Sequence, residues 1–197
     1  MKILVLGASG GVGSHLVDEA RRRGHEVSEG TRQTVDATDA GSIARAATGH
    51  DAVLNAVINR ADPGMIVDVA HALLAALPQA GDPRLLIVGG AGTLEVEPGR
   101  LVLDLDDFNP DYRTEGQAHL DVLDLLRTAD TPVEWTIVTP PRSFADTGRT
   151  GVYRTTGDAI LYDADHRNGI SLEDFAVAVL DEAEHRRHPR QRFSVAY

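Results

Sequence analysis

Alternating strand and helix patterns along all 197 residues predict a doubly wound α/β fold, a mostly parallel sheet with helices on both faces. Two further observations agree. The apolar run Ile3-Leu4-Val5-Leu6 leads directly into Gly7-Ala8-Ser9-Gly10-Gly11-Val12-Gly13, a strand entering a tight glycine turn. Later strands such as Leu85-Leu86-Ile87-Val88 are continuously apolar, as parallel strands covered on both faces are.

The elements follow in order. Residues 1–6 form the first strand, and the glycines turn it into a helix over 12–23 that ends at Arg21-Arg22-Arg23-Gly24. His25-Glu26-Val27-Ser28 reads as a second strand and Gln33-Thr34-Val35-Asp36 as a short third. A helix over 39–48 stops at Gly49, and residues 51–57 make a buried fourth strand. Asp62-Pro63 starts the next helix with proline at its first position. Its stripe of Met65, Ile66, Val69, Ala70, Leu73, Leu74 and Leu77 has helical spacing and belongs to the core.

Residues 84–88 form a fifth strand that enters Gly89-Gly90-Ala91-Gly92. An acidic loop precedes a helix over 114–128, and residues 133–138 form a sixth strand. Tyr153 and Ile160-Leu161-Tyr162 predict a short extended pair around Thr156-Gly157-Asp158. Ser171 caps the last helix, with Glu173 and Asp174 in its first turn, and a final strand ends at Tyr197. Residues 1–197 are expected to form one domain, with a small substrate-side segment around 140–170.

Composition excludes several functions. The net charge is −11 and no basic stretch occurs, so nucleic acid is not an expected partner. No apolar run reaches membrane-spanning length and no secretory leader is expected. Zero cysteines rule out disulfides and thiol chemistry. Together these place the protein in the cytoplasm. Lys2 is the only lysine, which removes catalytic lysine chemistry beyond the first strand. No glycine loop followed by lysine is present.

The glycine turn carries the strongest signal. Gly7 permits the tight turn, Gly10 lets a pyrophosphate approach bare backbone, and Gly13 allows close helix–strand packing. With Ser9, Gly11 and Val12 these residues set an anion site at the helix start. Ligands of such sheets bind beyond the carboxyl ends of the strands, which adds Asp36-Ala37, Asn55-Ala56-Val57, Arg60, Gly89-Gly90 and Thr139-Pro140-Pro141 as cofactor-binding candidates. Glu29 and Arg32 both stand at the end of the second strand. The acid would read a ribose 2′-OH and select NAD; the arginine would pair with a 2′-phosphate and select NADP. Arg32 tips the expectation toward NADP. Asp36 is either an acceptor for the adenine amino group or a turn cap, and Arg60 either a phosphate ligand or a surface charge.

No metal site is expected. Asp104, Asp106, Asp107 and Asp111 lack the glycine and terminal glutamate of a calcium loop. His185 and His188 suit the C-terminal dipole of the last helix better than a metal, and the other histidines, His119 included, show no ligand spacing.

With its Gly-x-x-Gly-x-x-Gly turn and alternating pattern, the chain resembles the short-chain dehydrogenase/reductase superfamily. Within it, the chain is similar to the NAD(P)H-binding, NmrA-like branch that includes NADH-flavin reductases and biliverdin reductase B. The resemblance spans the chain and rests on the glycine turn, Val88-Gly89-Gly90-Ala91-Gly92-Thr93-Leu94, Thr139-Pro140-Pro141, Thr150-Gly151-Val152-Tyr153 and the closing Gln191-Arg192-Phe193-Ser194-Val195-Ala196-Tyr197.

It implies a Rossmann fold, a nicotinamide cofactor, and Arg32 at the place of the 2′-phosphate arginine. Three departures stand out. The superfamily's Tyr-x-x-x-Lys pair is missing, since Tyr112 is followed four residues later by Gly116. Arg142 replaces a histidine of the biliverdin reductase. More than ten residues are missing between Arg32 and Gln33, which thins the adenine-side wall.

Two functions are compatible with this pattern. One is an NAD(P)H-dependent reductase of flavin or a related planar acceptor, a small molecule. Hydride transfer between cofactors needs no Tyr/Lys relay. Thr93 and Thr139 would orient the nicotinamide amide, Pro140-Pro141 would form its wall, and Arg142 would steady an anionic reduced acceptor. The other is a non-catalytic NAD(P)-binding sensor. A sugar-nucleotide epimerase is disfavoured by the short chain and the missing tyrosine. The oligomeric state is not legible in the sequence.

Overall fold

The structure is a computed structural model and describes residues 1–145 and 147–197. Its elements are β1 (Lys2–Leu6), α1 (Gly11–Arg22), β2 (Glu26–Gly30), α2 (Ala40–Ala47), β3 (Ala52–Asn55), α3 (Met65–Ala76), β4 (Arg84–Val88), β5 (Glu95–Glu97) and β6 (Arg100–Leu101). These are followed by α4 (Arg113–Thr128), β7 (Trp135–Thr139), β8 (Ser143–Ala145), β9 (Arg154–Thr156), β10 (Gly169–Ser171), α5 (Leu172–His185) and β11 (Gln191–Ala196).

Among the described residues the main sheet has seven strands in the order β2-β1-β3-β4-β7-β11-β9, parallel except for β9. This is the doubly wound Rossmann fold. On one face α1 and α5 cover Ile3, Val5, Leu54, Leu86 and Val138 with Leu16, Ala20, Phe175 and Val179. The other face packs α2, α3 and α4 against Leu4, Leu6, Val53, Leu85 and Ile137. Strand residues alternate between the two clusters because successive side chains point to opposite faces. Each fully buried aliphatic side chain contributes about 1.5–3 kcal/mol.

The third strand is a correction. Residues 33–36 form no strand; Thr34 N–H and Val35 N–H both donate to Thr31 O, at 3.0 and 2.9 Å. The Thr34 hydroxyl also accepts from Thr31 N–H at 2.9 Å. This local turn uses the backbone groups that a ladder would need, and Val35 drops into the core at 9% exposure. The sheet therefore ends at β2. Its strand order reverses between β1 and β3, so the ligand crevice of such a sheet falls outside those two strands.

Smaller corrections have local causes. β3 stops at Asn55, where the Asn55 side chain accepts Val57 N–H at 3.3 Å in place of a ladder bond. Gly64, not Asp62, is the N-cap of α3. Asp62 O and Pro63 O instead accept Met65 N–H and Ile66 N–H in a turn that feeds the helix. Residues 160–162 make no strand, and β9 pairs antiparallel with β11. Ser171 does cap α5, accepting Asp174 N–H at 3.0 Å.

The Thr150-Gly151 motif anchors a strap across α5. Fully buried Asp174 accepts Thr150 N–H at 2.9 Å, Gly151 N–H at 2.7 Å, the Thr150 hydroxyl at 2.6 Å and the Tyr197 hydroxyl at 2.8 Å. Arg149 adds a two-pronged bond to buried Glu19 on α1, at 2.9 and 3.0 Å. Burial opposes ionisation of Asp174, yet the Thr150, Gly151 and Tyr197 donors outweigh it and hold the carboxyl below its ordinary value. Because the folded-state pKa is depressed, this stabilisation is present above the unfolded value and is lost as pH falls through the folded one. Asp174→Asn is expected to remove about 2 kcal/mol, to flatten the loss of stability in acid, and to expose residues 147–152 to limited proteolysis. Urea titrations from neutral to acid pH and a protease time course measure both.

Candidate cofactor and substrate cleft

The carboxyl ends of the central strands stand level, Leu6 beside Asn55, Asn55 beside Ile87 and Val88 beside Val138. The loops that leave them enclose a cleft of about 620 Å³.

At one end lies the glycine turn. Gly7 has φ +78°, and a Cβ there would sit 2.7 Å from Ala56 O. A Cβ on Gly13 would sit 2.1 Å from Gly7 O, so only glycine lets α1 rest on the turn. Gly10, the N-cap of α1, offers no side-chain acceptor, which leaves the first N–H groups of the helix without partners. Gly10, Gly11 and Val12 line the cleft with Ala56 and Val57. Free N–H groups, a cradle cleared of side chains and the positive helix end fit a pyrophosphate. Gly7, Ser9, Gly13 and Asn55 lie outside the lining, Gly7 and Gly13 as the frame behind it.

Near the end of β2, Glu29 pairs with Arg21 of α1 at 2.7 Å. Arg32 is exposed and has no ion pair among the described residues. The Asp36 carboxylate accepts the Thr38 hydroxyl at 2.7 Å and Thr38 N–H at 2.9 Å; these bonds lower its pKa, the hydroxyl bond most. Asp36 thus caps a turn, and Ala37 packs on the core. Arg32, Asp36 and Ala37 do not line the cleft. The missing strand leaves this side short.

Beyond β4 and β7, the cleft is lined by Gly89, Gly90, Pro140, Pro141 and Arg142, with Arg60 opposite. A Cβ on Gly90 would lie 2.4 Å from His119 Cδ2, and one on Gly89 would lie 2.7 Å from Thr139 Oγ1. Thr93 and Thr139 stand behind this wall rather than in it. The Thr93 hydroxyl donates to Gly90 O at 2.8 Å and accepts from Arg192 at 3.0 Å. Thr139 is fully buried and its Oγ1 has no partner. The Arg142 guanidinium donates twice to Asp107, at 3.1 Å each.

Several lining residues escaped the sequence analysis. α4 and the turn before it contribute Tyr112, Glu115, Gly116 and His119, whose spacing puts them on one helix face; that periodicity was the available signal. Phe108, Phe144, Ile58 and Leu172 join them. Ile58, Tyr112 and Phe144 are 42%, 43% and 41% exposed, unusual for large apolar groups, and all three border this one cleft. Burial raises the Glu115 pKa, opposed by the Arg60 guanidinium 3.8 Å away. Burial also pushes the partly buried His119 imidazole down to about 4, so the ring is neutral at physiological pH.

Elsewhere, Asp181, Glu184 and His185 converge on α5. Arg23 already bonds both carboxylates at 2.8 Å, and His25 pairs with Glu184 at 2.7 Å. His188 lies beyond the helix rather than at its dipole, bonded to Glu182 at 2.8 Å. Among the described residues no helix is long and apolar enough to cross a membrane.

The glycine turn, the strand order and the cleft define a nicotinamide dinucleotide-binding Rossmann protein of atypical short-chain dehydrogenase/reductase type. Residues 7–186 match the NAD(P)H-binding family, to which the chain belongs. It is 35% identical to the uncharacterized protein YwnB of Bacillus subtilis (strain 168), over 99% of this chain and 98% of that one. A "putative exported protein" from Burkholderia pseudomallei has a similar structure, with TM-score 0.89 and 35% identity over the whole of both chains. The "putative NADH-flavin reductase" of Streptococcus pneumoniae TIGR4 follows at TM-score 0.87 and 30% identity, over 100% of this chain and 99% of that one.

Proposed function

We propose that the protein is an NAD(P)H-dependent reductase that passes hydride to a flavin or a related planar acceptor. The observation that carries this reading is the two-ended cleft. A side-chain-free anion cradle at Gly10 and Gly11 faces the turn after β3, while exposed Tyr112, Phe144 and Ile58 gather at the same cleft. Flat apolar surface suits a ring system, and aromatic stacking gives it orientation. The pneumococcal flavin reductase-like relative supports the same direction.

The residues have distinct tasks. Backbone N–H groups at Gly11 and Val12 hold the pyrophosphate, while the Gly10 N–H closes the turn on Gly7 O at 2.9 Å. Arg32 is free to meet a 2′-phosphate while Glu29 is engaged by Arg21, which favours NADP over NAD. Gly89 and Gly90 leave room for the Ile137, Thr139 and His119 side chains to pack against the loop after β4, and Pro140 and Pro141 wall the cleft. When bound, the reduced nicotinamide supplies the hydride. Arg142, steadied by Asp107, offers positive charge to an anionic reduced acceptor. Stacking two rings in one cleft supplies proximity as the main rate gain.

Thermal shift with NADPH and NADH tests the cofactor. NADPH is expected to raise Tm more than NADH, and Arg32→Ala to erase the difference. Absorbance assays of NADPH oxidation with FMN, riboflavin and a quinone test the chemistry. Binding without turnover on any acceptor would leave a dinucleotide sensor and overturn the reductase reading.

A further inference from the structure

The superfamily's proton relay is absent, yet the helix that would carry it presents another polar pair to the same cleft. Glu115 and His119 stand four residues apart on α4 and both line the cleft. Neither is consumed by a strong bond elsewhere. The one ion pair of Glu115 is the loose 3.8 Å contact to Arg60, and no hydrogen bond contributes to the state of His119. Gly90 must lack a side chain for His119 to occupy its place, so the loop after β4 is cut to fit that ring.

We infer that Glu115 and His119 handle the proton of the reduction, Glu115 as the acid and His119 as a neutral hydrogen-bond donor to the acceptor. This rests on the reductase reading above. A bound reduced nicotinamide would supply the hydride, and with it two electrons, to the electrophilic atom of the acceptor. The acceptor heteroatom that gains the charge takes a proton from the Glu115 carboxyl, which is reprotonated from solvent. Nicotinamide is oxidised and the acceptor is reduced by two electrons and two hydrogens. Burial shifts Glu115 toward the protonated carboxyl, opposed by Arg60, and keeps the His119 imidazole neutral. The other charged groups lining the cleft are Arg60 after β3, Arg142 after β7 and Asp107 before α4; Arg60, 3.8 Å from Glu115, moderates the rise there.

Steady-state kinetics of NADPH oxidation with a quinone, from acid to alkaline pH, test this. The wild-type kcat should fall as pH rises through the Glu115 pKa. Glu115→Gln should lower kcat about a hundredfold, with KM for NADPH within about twofold, and should abolish that fall. His119→Asn should lower kcat while leaving the fall with rising pH in place. The NADPH-induced thermal shift reports folding and cofactor binding in both variants. Normal kcat and an unchanged pH profile in Glu115→Gln would overturn this inference and leave the reductase reading standing. Wild-type protein inert toward every acceptor would overturn both.

Discussion

Gly13→Ala is expected to cost about 3 kcal/mol of stability, lower Tm by roughly 6–12 °C, and weaken NADPH binding at least about tenfold. The added Cβ would lie 2.1 Å from Gly7 O and 2.7 Å from Gly7 C. Both are backbone atoms, so no rotamer change relieves the clash. The helix must lift off the turn, and its N–H groups then move away from the cleft. Gly11→Ala separates the two effects. A Cβ at Gly11 meets nothing within 4 Å, and alanine is the better helix residue by about 0.5–1 kcal/mol. Stability should hold or rise there, while a methyl in the cradle lowers NADPH affinity. Thermal melts with and without NADPH read both variants. Normal stability and normal binding in Gly13→Ala would contradict the role given to this contact.

Arg84→Met is expected to destabilise the fold by about 3–5 kcal/mol without changing NADPH affinity. Arg84 begins β4, at the end of the sheet opposite the cleft, and is 2% exposed. Its guanidinium bonds the Glu182 carboxylate and backbone carbonyl, donates to Thr136 at 3.0 Å, and lies 2.9 Å from a Glu134 oxygen. Glu182, also 2% exposed, further accepts His188 N–H at 3.0 Å and meets His188 Nδ1 at 2.8 Å. Removing Arg84 strands a buried carboxylate. The double variant Arg84→Met/Glu182→Leu should recover much of the loss, because an apolar pair carries no desolvation penalty.

The same network predicts a pH effect. Burial opposes ionisation of Glu182, but bonds from Arg84 and His188 outweigh it and hold its pKa below the ordinary carboxylate value. The stabilisation therefore stands above the unfolded pKa and disappears as pH falls through the lowered folded one. Arg84→Met should lose less stability on acidification than wild type. Urea unfolding at neutral and acid pH measures both statements; an Arg84→Met protein as stable as wild type would contradict them.

Much of the fold was legible because its signals are local. The apolar runs at residues 3–6, 52–54 and 85–88 are strands covered on both faces, the mark of a parallel α/β sheet. Ser171 was legible as a cap because its hydroxyl needs only Asp174 N–H, three residues away. The third strand misled because Thr34 and Val35 carry strand propensity, while the Thr31–Thr34 hydrogen bonds that make them a turn are invisible to composition. The excess of unassigned charge along residues 104–115 hid Glu115, whose importance comes from burial rather than from identity.

Residue order alone decides the glycine turn of this NAD(P)H-binding family member, since a strand, three spaced glycines and a helix are contiguous and their stereochemistry is intrinsic. It also excludes the Tyr-x-x-x-Lys relay, because Lys2 is the only lysine. Tertiary packing decides the rest of the cleft. Arg60, Gly90, Tyr112, Glu115, His119, Arg142 and Phe144 are spread over 85 positions and meet only where the ends of β3, β4 and β7 face α4. Packing likewise withdraws Thr93 and Thr139 from the wall, by tying one to Arg192 and burying the other. A side chain's neighbours, and with them its charge state and its access to a ligand, are set by long-range burial that spacing along the chain does not encode.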